Sequence, residues 1–234
     1  HTCTAERAAY RNLVNSIPPP QSASVRNAYR EWIGAQIRAD AFGYAAPGNP
    51  ELAAEFAWRD ACISHVKNGI YGEMFVAAML AAACVTDDLE TIVRAGLGEI
   101  PAKSRLMEGI EKVLTWKADG ISYDDAVDKI HEMWNEAHAQ HWCGTISNAM
   151  IVVVGLLWGG LDYELSIARA VMPCFDTDCN GATAGSIVGM VLGASKLPAK
   201  WTDVVNDTLE TGVAGYNSVK ISEMARKTMG VISK

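Results

Sequence analysis

From Ser147 to Trp158 the chain is apolar almost without a break, and no other stretch limits its possible folds so tightly. A helix that is apolar on every face must be enclosed by other helices, because leaving any side in water is unfavourable. The run falls well short of the ~20 residues that a bilayer crossing needs. It therefore predicts a buried central helix and no membrane span. Gly159-Gly160 predicts its end, since glycine accepts the left-handed backbone of a helix terminus.

The remaining sequence supplies the enclosing layer. Thr4 to Val14 predicts a short helix, ended by Pro18-Pro19-Pro20 because proline has no amide to donate. Tyr29 to Ala41 reads as helical or tightly turned, and Gly43 with Pro47-Gly48-Asn49-Pro50 marks a turn before a helix starting near Glu51. Glu73 to Cys84 sets Phe75 over Met79 and Val76 over Leu80, the spacing of a core helix. Asp87-Asp88-Leu89-Glu90 predicts a capping box for the next helix. Asp124 to Ala139 repeats Ala126, Ile130, Met133 and Ala137 on one stripe, predicting an amphipathic helix over that range. Further helices are expected over Glu164 to Met172, over Ala182 to Ala194, and from Val219 onward. No sustained alternation bounded by hairpin turns appears, so the expected fold class is all-α. No linker divides positions 1–234, which read as one domain.

A net charge of −7 argues against general nucleic-acid binding, which depends on clustered Lys and Arg. Six scattered cysteines without a Cys-x-x-Cys pair read as reduced thiols of a cytoplasmic protein. The chain starts at His1, with neither an initiator methionine nor a signal sequence, so the expectation is that a preceding part has been removed.

The chemistry concentrates in Asp176-Thr177-Asp178-Cys179-Asn180-Gly181-Ala182-Thr183-Ala184-Gly185-Ser186-Ile187-Val188-Gly189. Two carboxylates one residue apart, at what reads as a buried junction of two helices, would take up protons unless a hard cation compensates them. Mg²⁺ or Mn²⁺ suits oxygen ligands of this kind. Gly181, Gly185, Gly189 and Gly193 recur every fourth residue and form a bare helix ridge. That ridge admits the close approach of a neighbouring helix or of a ligand. A purely structural reading, in which the aspartates cap a helix and the glycines pack one, stays open on spacing alone. His131, Glu132, His138 and His141 form a histidine cluster, but lack the second histidine of a His-Glu-x-x-His zinc site. Thr86-Asp87-Asp88 reads as a helix cap.

The run from Asp176 to Gly189 resembles the C-terminal metal motif of the ADP-ribosylglycohydrolases. The stretches Arg59 to Phe75 and Arg30 to Asp40 are similar to a bacterial branch of that family. The resemblance implies a compact multi-helix all-α bundle and a binuclear Mg²⁺ or Mn²⁺ centre. It also implies hydrolysis of the N- or O-glycosidic bond at the anomeric carbon of ADP-ribose on a protein or small molecule. It makes Asp176 and Asp178 metal ligands and leaves the catalytic group unassigned. By the same resemblance His65, Asn68 and Gly69 lie at the substrate cleft, Arg38 suits a diphosphate, Asp40 suits ribose hydroxyls, and His141 and Asn148 line the cleft wall. Cys179 stands where better-known members have threonine, and a thiol is a poor Mg²⁺ ligand. The family's other metal motif, of the Thr-Asp-Asp type, is expected to precede this sequence, so a separate N-terminal segment is a candidate partner for completing the site. The alternative is a catalytically incomplete ADP-ribose-binding or regulatory protein that retains the fold.

Overall fold

The computed structural model describes residues 2–232. Fifteen α-helices, one 3-10 turn (Ala194–Lys196) and one small hairpin make up the regular structure of these residues. The first four helices are α1 (Thr4–Val14), α2 (Gln21–Ser24), α3 (Gly34–Ile37) and α4 (Asp40–Ala45). Then come α5 (Pro50–Ala61), α6 (Asn68–Ala83), α7 (Leu89–Gly98), α8 (Arg105–Ala118) and α9 (Tyr123–Met133). The next are α10 (Ala139–Trp142), α11 (Thr145–Gly159), α12 (Tyr163–Val171) and α13 (Thr177–Leu192). The chain closes with α14 (Ala199–Thr202), the strands β1 (Thr208–Glu210) and β2 (Ser218–Lys220), and α15 (Ile221–Ile232).

Two helices make the core. In α11 every residue from Thr145 to Leu156 is buried, as the unbroken apolar run demands. Most of α6 is buried as well, with Phe75, Met79 and Leu80 among its fully enclosed side chains. Truncating one of these to alanine costs about 2–5 kcal/mol, since the space left behind does not fully close. The outer helices α5, α7, α8, α12 and α13 wrap this pair. Local signals fix where they start. Asn49 Oδ1 accepts from the Leu52 amide at 3.1 Å ahead of Pro50, and Ser104, Ser122 and Asp162 accept from backbone amides in the same way.

Three expectations need correction. The residue that caps α7 is Asp88, whose carboxylate accepts from Thr91 N at 2.6 Å, so Glu90 does not fall at the position that would close a capping box. The amphipathic helix over 124–139 ends at Met133. Trp134 turns to an extended backbone and Ala137 belongs to the following loop. The tail carries a hairpin ahead of its helix, pairing Thr208 with Lys220 and Glu210 with Ser218.

The segment before α3 is sewn to the start of α11. Ile33 N donates to Cys143 O at 2.8 Å, and Thr145 Oγ1 lies 3.0 Å from the carbonyls of both Glu31 and Trp32. This seam brings α1 and α3 opposite the N-terminal end of α13, and a cleft opens between them.

Candidate active site

The cleft encloses about 560 Å³ and is lined by Glu6 of α1, by Trp32, Gly34 and Arg38, by Cys143, and by Asp176, Asp178 and Cys179 at the start of α13. Asp176 caps that helix, accepting from Cys179 N at 3.3 Å. The loop before it is strained. Cys174 (φ 67°) and Phe175 (φ 56°) take successive left-handed backbones without being glycine, which costs of order 1–3 kcal/mol each and persists only when surrounding contacts enforce it.

Those contacts come from α9 and the loop after it, from α10 and from α11. Trp142 Nε1 donates to Phe175 O at 2.7 Å, Phe175 N donates to Glu136 Oε2 at 3.3 Å, and His131 Nε2 lies 3.1 Å from Pro173 O. Asn148, fully buried on α11, accepts from both Asp176 N at 3.0 Å and Asn180 Nδ2 at 2.8 Å. Its own amide group donates to the carbonyls of Trp142 and Gly144, at 2.8 Å each. Asn148 therefore sits beneath the aspartate loop and holds it.

The expected burial of both carboxylates is not found. Asp178 is exposed and Asp176 is only partly buried. The glycine ridge also has a definite partner. A Cβ on Gly181 would meet Val171 Cγ2 at 2.8 Å, one on Gly185 would meet Ile167 at 3.3 Å, and one on Gly189 would meet Tyr163 at 3.5 Å. The ridge is where α12 lies against α13. Gly193 ends the helix with φ 72°.

Across the cleft, Arg38 is engaged on every side. Its guanidinium donates to Glu6 Oε1 and Asp60 Oδ2, each at 2.5 Å, to Ser64 Oγ at 3.0 Å and to Gly34 O at 3.1 Å. Glu73 Oε2 lies 3.9 Å away. Glu73 is fully buried, neither of its oxygens has a hydrogen-bond partner among the described residues, and burial pushes its carboxyl up to about 10. His65 is also fully buried, and burial followed by the positive charge of Arg38 lowers it to about 3, so its ring is neutral. Because Arg38 donates to Ser64 Oγ, the Ser64 hydroxyl is free to donate to His65 Nδ1, 2.8 Å away. That favours the tautomer with hydrogen on Nε2.

The other residues singled out from the sequence fall elsewhere. Asn68 and His141 line a second cavity of about 250 Å³ together with Glu31, Arg105 and Trp134. Within it, Glu31 Oε2 accepts from Asn68 Nδ2 at 2.8 Å and from Arg105 Nη2 at 2.9 Å. Trp32 Nε1 donates to Gln140 Oε1 at 2.7 Å, and these two side chains join the walls of the two spaces. Gly69 is buried against the Arg30 carbonyl, where a Cβ would stand 2.6 Å from that oxygen. Asp40 accepts from Ser186 Oγ at 2.6 Å and links α4 to α13, with its carboxyl raised by burial against the effect of the Ser186 and Tyr44 contacts. The structure thus brings Arg38, Asp176 and Asp178 together, and groups Asn68 with His141. Asp40, His65, Gly69 and Asn148 lie behind these surfaces.

Asp176 and Asp178 offer hard carboxylate oxygens to the cleft, which suits Mg²⁺ or Mn²⁺. The neighbouring thiols do not: Cys143 is pushed up to about 12 by burial and Asp176, and Cys179 is raised further by burial and both aspartates. No group of three or more His, Cys, Asp or Glu side chains poised to hold a metal occurs among the described residues. The two aspartates would supply only part of the oxygen shell that such an ion takes.

Sequence reasoning missed Glu6, Asp60 and Glu73. Glu73 alone left a signal, as a single charge inside the apolar pattern of α6.

Fold and cleft together define an all-helical protein whose carboxylates converge on one cleft from two separate helices. A family model for ADP-ribosylglycohydrolase matches residues 1–231, and the chain belongs to that family. The family's general activity is hydrolysis of ADP-ribose glycosidic bonds. No curated protein matches the chain. Among the described residues, no helix is long and apolar enough to cross a membrane.

Proposed function

We propose that this protein hydrolyses the N- or O-glycosidic bond at the anomeric carbon of ADP-ribose, with Asp176 and Asp178 holding Mg²⁺ or Mn²⁺ in a centre that becomes binuclear once its remaining ligands are in place. What carries the reading is the strained loop at Cys174 and Phe175. Its clamping by Trp142, Glu136 and Asn148 is effort directed at the position of Asp176, and enforced strain of this kind clusters at functional sites. When bound, the cation supplies Lewis-acid alignment of ribose hydroxyls and water. The chain's own groups do the rest. Trp32 and the seam from Ile33 to Thr145 wall the cleft, and Arg38 fixes the carboxylate facing the aspartates. Asn68 and His141, on the wall of the second cavity, are the candidates for the distal part of the ADP-ribose, with Arg105 available to its diphosphate and Gly69 behind them, where it lets α6 start against the Arg30 carbonyl. The six free cysteines suit the cytoplasmic location that belongs to the same proposal.

The test is release of free ADP-ribose from an ADP-ribosylated protein by the full-length protein with added Mn²⁺. Replacing both Asp176 and Asp178 with alanine is expected to abolish it, and unchanged turnover would refute the assignment. Binding of ADP-ribose by the wild type without any turnover would favour the regulatory alternative.

A further inference from the structure

Resting on the hydrolase reading, we propose that Glu136 and Trp142 are positioning residues that couple cation binding at Asp176 and Asp178 to a ligand in the second cavity. Residues 134–142, the loop after α9 together with α10, carry two sets of contacts. On one side Trp134, Gln140 and His141 line the second cavity. On the other, Glu136 Oε2 accepts from Phe175 N at 3.3 Å and Trp142 Nε1 donates to Phe175 O at 2.7 Å. Both backbone polar groups of Phe175 are thus held by this segment, and the next residue is Asp176. Neither Glu136 nor Trp142 lines the second cavity or the cleft.

The segment is braced within itself. Asn135 N donates to His141 Nδ1 at 3.0 Å, Ala137 N donates to Asn135 Oδ1 at 2.9 Å, and the Trp134 and His141 rings meet edge to face with centroids 5.2 Å apart. Contact with Trp134 or His141 therefore bears on Glu136, between them in the chain, and on Trp142, next to His141. Residues 135–140 are exposed, and among the bonds that tie the segment to the rest of the fold are Trp32 Nε1 to Gln140 Oε1 and Ser147 Oγ to His141 O. In this scheme the turn that the segment grips has two arrangements. Held, Cys174 and Phe175 keep their strained left-handed backbones; released, they relax, and Asp176 moves with them. A ligand that meets Trp134, Gln140 and His141 where they now stand favours the held arrangement, because it binds that arrangement more tightly. Linkage makes the effect reciprocal, so a cation on the aspartates tightens the ligand by the same factor.

The experiment is calorimetric titration of the full-length protein with Mn²⁺ and with ADP-ribose, each alone and each with the other saturating. Wild type should bind either one at least ~5-fold more tightly when the other is present, the lower end of ordinary coupling. Asp176→Asn combined with Asp178→Asn gives the baseline for chelation of Mn²⁺ by the diphosphate itself. Glu136→Ala combined with Trp142→Phe, which cuts both bonds to Phe175 and keeps an aromatic ring, should bring the factor to within about twofold of one. Glu136→Ala alone alters an exposed side chain, so it keeps the test decisive if the double variant does not fold, and its factor should fall between the two. A merely structural role would weaken each binding and leave the factor as in wild type, and direct contact between ligand and cation would also leave it unchanged. Either result, or a factor of one in wild type, overturns the coupling and leaves the hydrolase reading intact. Failure of the wild type to bind ADP-ribose at all would overturn the hydrolase reading, and this inference with it.

Discussion

Asn148 Oδ1 accepts the backbone amide of Asp176 at 3.0 Å, tying the first turn of the central helix to the residue that carries the first carboxylate of the cleft. The same oxygen accepts from Asn180, while the Asn148 amide group is bound to the carbonyls of Trp142 and Gly144. Four hydrogen bonds thus pass through one fully buried side chain, and the strained turn at Cys174 and Phe175 rests on it. Asn148→Ala would leave the Asp176 amide and the Asn180 side chain without this acceptor. Removing a buried partner costs about 1–3 kcal/mol, and chemical denaturation should read a loss on that scale. Asn148→Asp should fare no better, since a carboxylate can keep the two acceptor contacts but cannot donate to the two carbonyls. Retention of wild-type stability by both variants would remove Asn148 from this role.

The ridge on α13 makes a graded prediction. Gly181→Ala drives a methyl to 2.8 Å from Val171 Cγ2 and should destabilise by about 1–3 kcal/mol, the cost of overpacking. Gly189→Ala meets its nearest neighbour at 3.5 Å and should be neutral or up to about 1 kcal/mol stabilising, because alanine favours helix. Thermal unfolding of the two variants checks the order. Equal effects would mean that the ridge does not set the distance between α12 and α13.

Much of this was written in the sequence. The unbroken apolar run of α11, the Asn49-Pro50 start of α5 and the glycine period of α13 are local signals, and local signals survive without tertiary information. The depth of Asp178 was not legible, because two acids before a small-residue helix read the same whether the helix start is covered or open. Nor was the strain at Cys174 and Phe175, for neither residue type advertises a left-handed backbone. Glu6 looks like any first-turn acid of an amphipathic helix. Its distinction comes from Arg38, in the turn after α3, and the two residues meet only in the fold.

Glu73 makes a prediction about pH. The folded chain holds its proton up to about pH 10, against an ordinary value of 4.5 in the unfolded chain. Between those values the unfolded state binds fewer protons, so this contribution to stability is complete below pH 4.5 and is lost as pH rises towards 10. Glu73→Gln keeps the shape and stays neutral at every pH. Its melting temperature relative to wild type should therefore rise progressively from pH 5 to pH 9. A difference that is flat with pH would mean that Glu73 is ionised in the folded protein.

The central claim concerns the two aspartates, and calorimetric titration of Mn²⁺ into the full-length protein tests it most directly. Wild type should bind with a saturable heat, and Asp176→Asn combined with Asp178→Asn, which preserves size and the helix cap while removing both charges, should lose it. Identical binding curves for the two proteins, or no binding by wild type, would contradict the account.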